Sequence, residues 1–163
     1  MRYVKDNRVW TMTDIRLAHP EISWPREGAD PQPLGYVPLV ESPAPDPLPW
    51  HRVVEGAPNG VNQTWVQVPM GEDEIVSICV SAMEDLYDIT AQSRRYDNRI
   101  TCALRAGYTG PFQAEGQAFA VWMDTCNATA YQWWAEIEAG TKPMFASTDE
   151  FINALPVMVW PAS

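Results

Sequence analysis

The chain has 163 residues, of which 46% are hydrophobic and 20% charged, and its formal net charge is −10. That length fits one domain, or one small domain with a structured arm. The longest uncharged apolar stretch, Ala118 to Met123, is far shorter than the ~20 residues that cross a bilayer. The acidic balance also disfavours nucleic acid and anionic membranes as partners, because both recruit clustered positive charge.

Proline dominates the first half of the chain. Eleven of the 15 prolines lie between Pro20 and Pro69, and within residues 41–49 proline stands at every second position from Pro43. Proline fixes φ and lacks a backbone donor, so neither a helix nor a central strand can run there. The pattern predicts an extended arm close to polyproline II.

Short elements flank this arm. Residues 13–18 are typical of a one-turn helix with Thr13 as its N-cap. Residues 52–55 and 63–68 resemble two strands, joined by a loop with an Asn59-Gly60 turn signal. We therefore predict a small β-hairpin that must pack on another surface, because an isolated hairpin is marginal in water.

Large aromatic residues punctuate the same half at Trp10, Trp24, Tyr36 and Trp50. Disordered linkers are usually poor in aromatics, so we expect this arm to lie along a surface. That surface is either the C-terminal half of the same chain or a partner. Trp24, Tyr36 and Trp50 are our candidate partner-binding residues here, because Trp and Tyr are enriched at binding hot spots.

The second half changes character, with no proline from Glu72 until Pro111. A helix is predicted from Glu72, with acidic residues in its first turn and Arg94 and Arg95 near its far end. A second helical piece over 96–106 should end at Gly107. The expected apolar face of the first helix is Ile75, Ile78, Cys79, Ala82, Leu86 and Ile89.

A longer helix is predicted over about 113–139, ended by Gly140. With the first helix and a tight turn it would form an antiparallel helical hairpin. Its expected apolar face is Phe119, Trp122, Met123, Cys126, Ala130, Trp133 and Ile137.

Adjacent helical residues point about 100° apart, so Trp133 and Trp134 cannot share one narrow stripe. One should lie in the core and the other, for which we choose Trp134, beneath the arm or against a partner. Ser147 should cap a short last helix that stops before Pro156. An extended apolar tail over 157–161 follows and carries Trp160, our last candidate partner-binding residue.

The predicted fold class is thus α+β, with an extended Pro-rich arm and small hairpin over residues 1–71 and a helical domain over 72–163. Residues 72–163 carry five basic and thirteen acidic side chains, so they hold −8 of the net charge. We expect the helical half to fold alone, because its contacts are local, and the first half not to.

Catalytic chemistry is not indicated. The sequence has no GxSxG, GxGxxG, P-loop or HExxH motif, and its three cysteines have no metal-ligand spacing to either histidine. We expect three buried, reduced cysteines, no enzymatic activity, no cofactor and no metal. The one basic cluster, residues 94–99, is either an anchor for acidic side chains of a partner or simply the end of an amphipathic helix.

Five short segments of the first half carry a resemblance, which are Met12 to Arg16, Ile22 to Pro25, Leu34 to Tyr36, Val53 to Pro58 and Thr64 to Val66. Together they resemble the N-terminal layout of small tailed-bacteriophage tail proteins, which are often described as tail fibre assembly or tail-associated proteins. The second half is similar to their helical module in three further segments, which are Arg95 to Asp97, Phe112 to Phe119 and Glu138 to Pro143. The resemblance covers most of residues 12–161.

The resemblance implies a structural component of a phage tail that links or clasps tail fibre and baseplate. The alternative that it leaves open is a tail fibre assembly chaperone that does not stay in the virion. Either role implies other tail proteins as partners, a symmetric multi-copy assembly, synthesis in the host cytoplasm and, for the first role, location in the virion tail. No catalytic residues come with the resemblance.

Overall fold

The computed structural model describes residues 1–162, which form an α+β fold, as the sequence predicts. The chain divides into two compact units, which we name unit 1 (Met1–Met70) and unit 2 (from Gly71 onward). Each unit has its own secondary structure and its own buried residues, so each is described by itself.

Unit 1 begins with a three-stranded antiparallel sheet that the sequence analysis did not predict. Its strands are β1 (Arg2–Lys5), β2 (Arg8–Thr11) and β3 (Val37–Pro38), in the order β2-β1-β3. Asp6 and Asn7 join β1 to β2 with φ of 53° and 58°, the two left-handed residues of a tight hairpin turn. The prediction of an extended arm with one small hairpin is therefore incomplete for this part of the chain. Strands of two to four residues are too short for an alternation of apolar and polar residues to be recognised.

Helix α1 (Met12–Ala18) follows β2 directly. Its N-cap is Thr11, not Thr13 as predicted, since the Thr11 hydroxyl accepts from the amide of Asp14 at 3.2 Å. The Asp14 carboxylate accepts in turn from the Thr11 amide at 2.8 Å, which completes a reciprocal capping box. The helix thus begins two residues earlier than predicted, and its residue Ile15 lies in the core.

The core of unit 1 is a cluster of Tyr3, Ile15 and Tyr36, against which Trp10 and Trp24 pack. The rings of Trp10 and Tyr36 meet edge to face at 5.5 Å. Since one member comes from β1, one from α1 and one from the segment before β3, this cluster holds distant parts of unit 1 together.

The predicted hairpin is confirmed as strands β4 (His51–Glu55) and β5 (Trp65–Pro69), which pair antiparallel. The proline-alternating residues 41–48 form no helix or strand, as their composition predicts. Side chains of β5 fasten this stretch: Trp65 Nε1 donates to the carbonyl of Ser42 at 3.2 Å, and Gln67 Nε2 donates to that of Asp46 at 3.0 Å. Its extended backbone thus finds partners within unit 1.

Unit 2 is helical. Its helices are α2 (Glu72–Ser93), α3 (Arg99–Ala103) with a 3-10 turn after it (Leu104–Gly107), α4 (Gln113–Glu138) and α5 (Thr148–Asn153). The side chain of Ser147 caps α5, as predicted, and Gly140 follows α4 with φ of 69°.

Helices α2 and α4 run antiparallel. Near the end of α2 the Arg94 guanidinium lies 3.7 Å from Glu115 of early α4, and further back the Tyr87 ring lies 5.3 Å from that of Trp122. The connection between them is α3 and its 3-10 turn, not a tight turn. The indole Nε1 of Trp122 further donates to the carbonyl of Pro156 at 2.7 Å, which fixes the C-terminal segment.

The buried stripe of α2 differs from the predicted face. It consists of Ile75, Cys79, Met83, Tyr87 and Ala91, which recur every fourth residue. Ile89, assigned to the core from sequence, is 66% exposed. Both faces of this helix carry apolar residues, so periodicity alone could not select the one that packs.

Candidate partner-binding groove

A groove open to solvent lies between α2 and α4 in unit 2. It consists of two adjoining cavities of about 590 Å³ and 210 Å³ that share Val80, Met83, Asn127 and Tyr131. Along α4 it extends from Met123 to Trp134, which is about 16 Å at the helical rise of 1.5 Å per residue. We call this feature the α2–α4 groove.

The larger cavity is rimmed by apolar side chains that water reaches. Val80 is 50% exposed, Ile100 67%, Leu104 58% and Tyr131 79%. Ile100 belongs to α3 and Leu104 begins the 3-10 turn, so this short helical piece forms the wall at one end. A contiguous exposed apolar surface rimmed by polar residues is typical of a protein interaction site.

The smaller cavity is lined by aromatic rings at the other end of the groove. Trp133 lies 5.2 Å from the ring of Phe145 and 6.2 Å from that of Phe151. The Lys142 ammonium stands 4.8 Å from the centre of the Trp133 ring. Trp134 completes the lining. Rings held by one another in this way give a preformed apolar socket for one large side chain.

The floor of the groove is neutral and hydrogen-bonded. The buried Tyr87 hydroxyl donates to Asn127 Oδ1 at 3.0 Å. Burial is the main reason why the pKa of Tyr87 is raised far above its usual range. The hydroxyl therefore stays protonated and donates to the side chain of Asn127, an exposed residue that lines both cavities.

The α3 wall is fixed to α2 by Arg99. Its guanidinium lies 2.9 Å from Glu84 and 2.7 Å from Asp88, and its backbone amide donates to Asp88 at 2.7 Å. Both carboxylates thus fasten α3 to α2. This anchoring presents Ile100 and Leu104 on a defined surface.

The charge of the groove is acidic. Its charged lining residues are Glu84, Asp124 and Arg99. Asp124 is exposed and makes no ion pair within residues 1–162. Unit 2 as a whole carries thirteen acidic and five basic side chains, so a cationic partner is attracted to this surface.

The candidate residues predicted from sequence do not come together in one site. Trp134 lines the α2–α4 groove and is half-buried. Trp160 stacks on Phe119 with ring centres 5.8 Å apart and lies beneath the Arg94 guanidinium, and both of these contacts are within unit 2.

The three candidates in unit 1 are at least half-buried. Tyr36 is only 2% exposed and belongs to the core, which leaves its ring little surface for a partner. Trp24 packs against the same core and donates to the carbonyl of His19 at 3.3 Å. Trp50 is half-buried, with φ of 54°. Bulk and spacing made these residues candidates, but burial depends on the tertiary fold.

The residues that rim the groove were not predicted from sequence as binding residues. They are Val80, Ile100, Leu104 and Tyr131. The available signal was that α2 and α4 carry more large apolar residues than one stripe can bury. Each of these residues stands outside the predicted faces, and only the packing of α3 gathers them around one depression.

Within the part of the chain that the structure describes, no three histidine, cysteine, aspartate or glutamate side chains are grouped so as to hold a metal ion. No described helix is both long and apolar enough to cross a membrane. Compared with known proteins, the chain matches no family model, no curated protein and no solved structure.

Proposed function

We propose that this protein is a structural component of a bacteriophage tail, which links or clasps tail fibre and baseplate through protein–protein contacts. The observation that carries the proposal is the α2–α4 groove, a preformed apolar surface with an aromatic socket at one end. The resemblance of residues 12–161 to small tail proteins supplies the biological setting. In this role the protein is made in the host cytoplasm and resides in the virion tail in several symmetric copies, without enzymatic activity or cofactor.

The occupant of the groove that fits best is an amphipathic helix of a neighbouring tail protein. The groove is about 16 Å long, which is three turns of a helix at about 5.4 Å per turn. One large apolar side chain of that helix would enter the aromatic socket, and others would cover Val80 and Ile100. Lysine or arginine beside the apolar stripe would complement Glu84 and Asp124, whereas a second copy of this acidic chain would be repelled.

A second candidate function is a tail fibre assembly chaperone. The observation that favours it is the short length of the groove. A partner helix of three turns buries much less than the roughly 1,600 Å² of a standard stable interface, and small interfaces are usually transient. The same groove would then hold the fibre during trimerisation and release it afterwards.

Quantitative mass spectrometry of purified particles of the phage that encodes this chain separates these two roles. A fixed stoichiometry relative to baseplate proteins supports the structural role. Absence from particles, together with a complex with fibre protein before assembly, supports the chaperone. If the protein is absent from particles and binds no tail protein, both roles are wrong.

The groove itself is tested by a matched pair of variants. Ile100 and Ile89 are 67% and 66% exposed, but only Ile100 lines the groove. We expect Ile100→Glu to weaken binding to the tail partner at least about tenfold, because it places a charge against an apolar face. Ile89→Glu should bind like the wild type, and circular dichroism should be the same for both. Equal binding by the two variants would contradict the assignment of the groove.

A further inference from the structure

Three of the five basic residues of unit 2 surround one hollow. They are Arg94 and Arg95 at the end of α2, and Arg105 in the 3-10 turn. The hollow has a volume of about 570 Å³, and an adjoining one of about 330 Å³ shares Arg95, Tyr96 and Arg105. Arg94 and Arg95 are consecutive, and the fold brings Arg105 beside them in a unit that is otherwise strongly acidic.

Two of these three arginines have no ion-pair partner among residues 1–162. Arg94 lies 3.7 Å from the Glu115 carboxylate and covers the Trp160 ring. Arg95 and Arg105 are exposed and make no ion pair within residues 1–162. Since Glu115 is the only carboxylate in the lining of the larger hollow, that hollow has a local charge of +2.

The hollow is held in shape by contacts of its own. The Tyr96 hydroxyl donates to Glu115 at 2.9 Å, which orients the carboxylate toward α2. Arg95 adopts φ of 65°, a conformation that favours glycine, and its amide donates to the carbonyl of Gln92 at 2.9 Å. The side chain of Arg95 is exposed and lines both hollows, and its guanidinium carries five donors.

Exposed rings stand beside the arginines. Phe112 lines the larger hollow and is 54% exposed, and Tyr108 lines the adjoining one and is 57% exposed. A ligand that carries carboxylates next to an aromatic or aliphatic side chain would satisfy both parts of this surface. Guanidinium groups bind carboxylates in bidentate pairs, so two free arginines provide orientation as well as charge.

We propose that Arg95 and Arg105, with Arg94 beside them, bind a short acidic peptide segment of a partner protein. The larger hollow shares no lining residue with the α2–α4 groove, whereas the adjoining one shares Leu104 with it. The inference does not rest on the phage assignment. A nucleic acid is a poorer fit, because its continuous charge would extend past the hollow over the acidic remainder of unit 2, beginning with Asp97. A short acidic segment, in contrast, needs only the positive charge at the hollow itself in order to bind.

The experiment is fluorescence anisotropy of the full chain with a labelled synthetic peptide in which glutamates flank one phenylalanine, at low ionic strength. We expect Arg105→Gln and Arg95→Gln each to weaken binding, and the double variant to weaken it at least about tenfold, since charge-assisted hydrogen bonds are lost. A peptide with glutamine in place of glutamate should not bind. All the substituted side chains are exposed, so circular dichroism should be unchanged.

The matched control is Arg26→Gln, which removes one positive charge from an exposed position in unit 1. We expect its affinity to stay within about twofold of the wild type, because Arg26 lines neither hollow. Ile100→Glu should also bind the peptide, which keeps this test independent of the groove. Undiminished binding by the double variant, equal binding of the glutamine peptide, or tighter arginine-dependent binding of a single-stranded oligonucleotide would each overturn the proposal.

Discussion

At the scale of the residue, the three cysteines are as buried as the sequence analysis predicts. Cys102 is completely inaccessible, and burial, assisted by the Glu115 carboxylate, raises its thiol pKa from 9.0 to about 11. Free cysteine behaves as a small hydrophobe in such a place, so its protonation state is coupled to folding.

The sign of this coupling gives a prediction for alkaline pH. Below pH 9 the thiol is protonated in both folded and unfolded chains, so its contribution is fully present. Between pH 9 and about 11 only the unfolded chain releases the proton, so the free energy of unfolding falls as pH rises, by at most about 1.4 kcal/mol per pH unit for this group. We expect urea unfolding to show a steeper decline in the wild type than in Cys102→Ala. The buried Tyr87 is common to both chains, so equal slopes would rule out the role of Cys102.

At the scale of the element, α4 and the 3-10 turn approach each other closely at Gly116. A Cβ on Gly116 would collide with the backbone nitrogen of Ala106 and lie 2.8 Å from the carbonyl carbon of Arg105. Backbone atoms cannot move away from a new Cβ as easily as the end of a flexible side chain can. The glycine therefore lets two helical elements touch, and the helix tolerates its low propensity there.

Gly116→Ala is accordingly expected to destabilise unit 2 by about 1–3 kcal/mol, the usual cost of overpacking, although alanine is the better helix former. Gly107→Ala is the matched control, because a Cβ there has no atom within 4 Å. It should change the free energy of unfolding by less than about 0.5 kcal/mol. Thermal and urea unfolding of both variants measure the difference, and a stabilised Gly116→Ala would show that the turn can shift away from α4.

At the scale of the whole molecule, the two units differ in the interactions that stabilise each of them. Unit 2 buries residues from α2, α3, α4 and α5, among them Phe119, Cys126 and Phe151. Unit 1 depends on the small Tyr3, Ile15 and Tyr36 cluster and on ion pairs such as Arg2 to Glu55 at 2.6 Å. A chain of about 60–70 residues with so small a core is marginal on its own.

We therefore expect a fragment of residues 71–163 to unfold in one cooperative thermal transition with helical circular dichroism. Contacts such as those of Arg94 with Glu115 and of Tyr87 with Trp122 join helices of this unit to one another. Residues 1–70 alone should melt at a lower temperature and with less cooperativity. A gradual, featureless melt of residues 71–163 would mean that unit 2 needs unit 1 in order to fold.

The sequence by itself determined the features that depend on local chemistry. Proline excluded regular structure from residues 41–48, Asn59-Gly60 and its flanking strands predicted the β4–β5 hairpin, and periodicity with Gly140 and Ser147 predicted α2, α4 and α5. Each of these is set by φ restriction, turn preference or capping, which act over a few residues.

Only the tertiary structure decided which apolar surfaces are covered. Tyr36, a candidate partner-binding residue from sequence, is 2% exposed, whereas Ile89, which the periodicity assigns to an apolar face, is 66% exposed. The strands β1–β3 and the rim of the α2–α4 groove likewise depend on which distant segments meet. The physical reason is that burial free energy is non-directional and follows the area removed from water, so it is fixed by the final packing and not by local pattern.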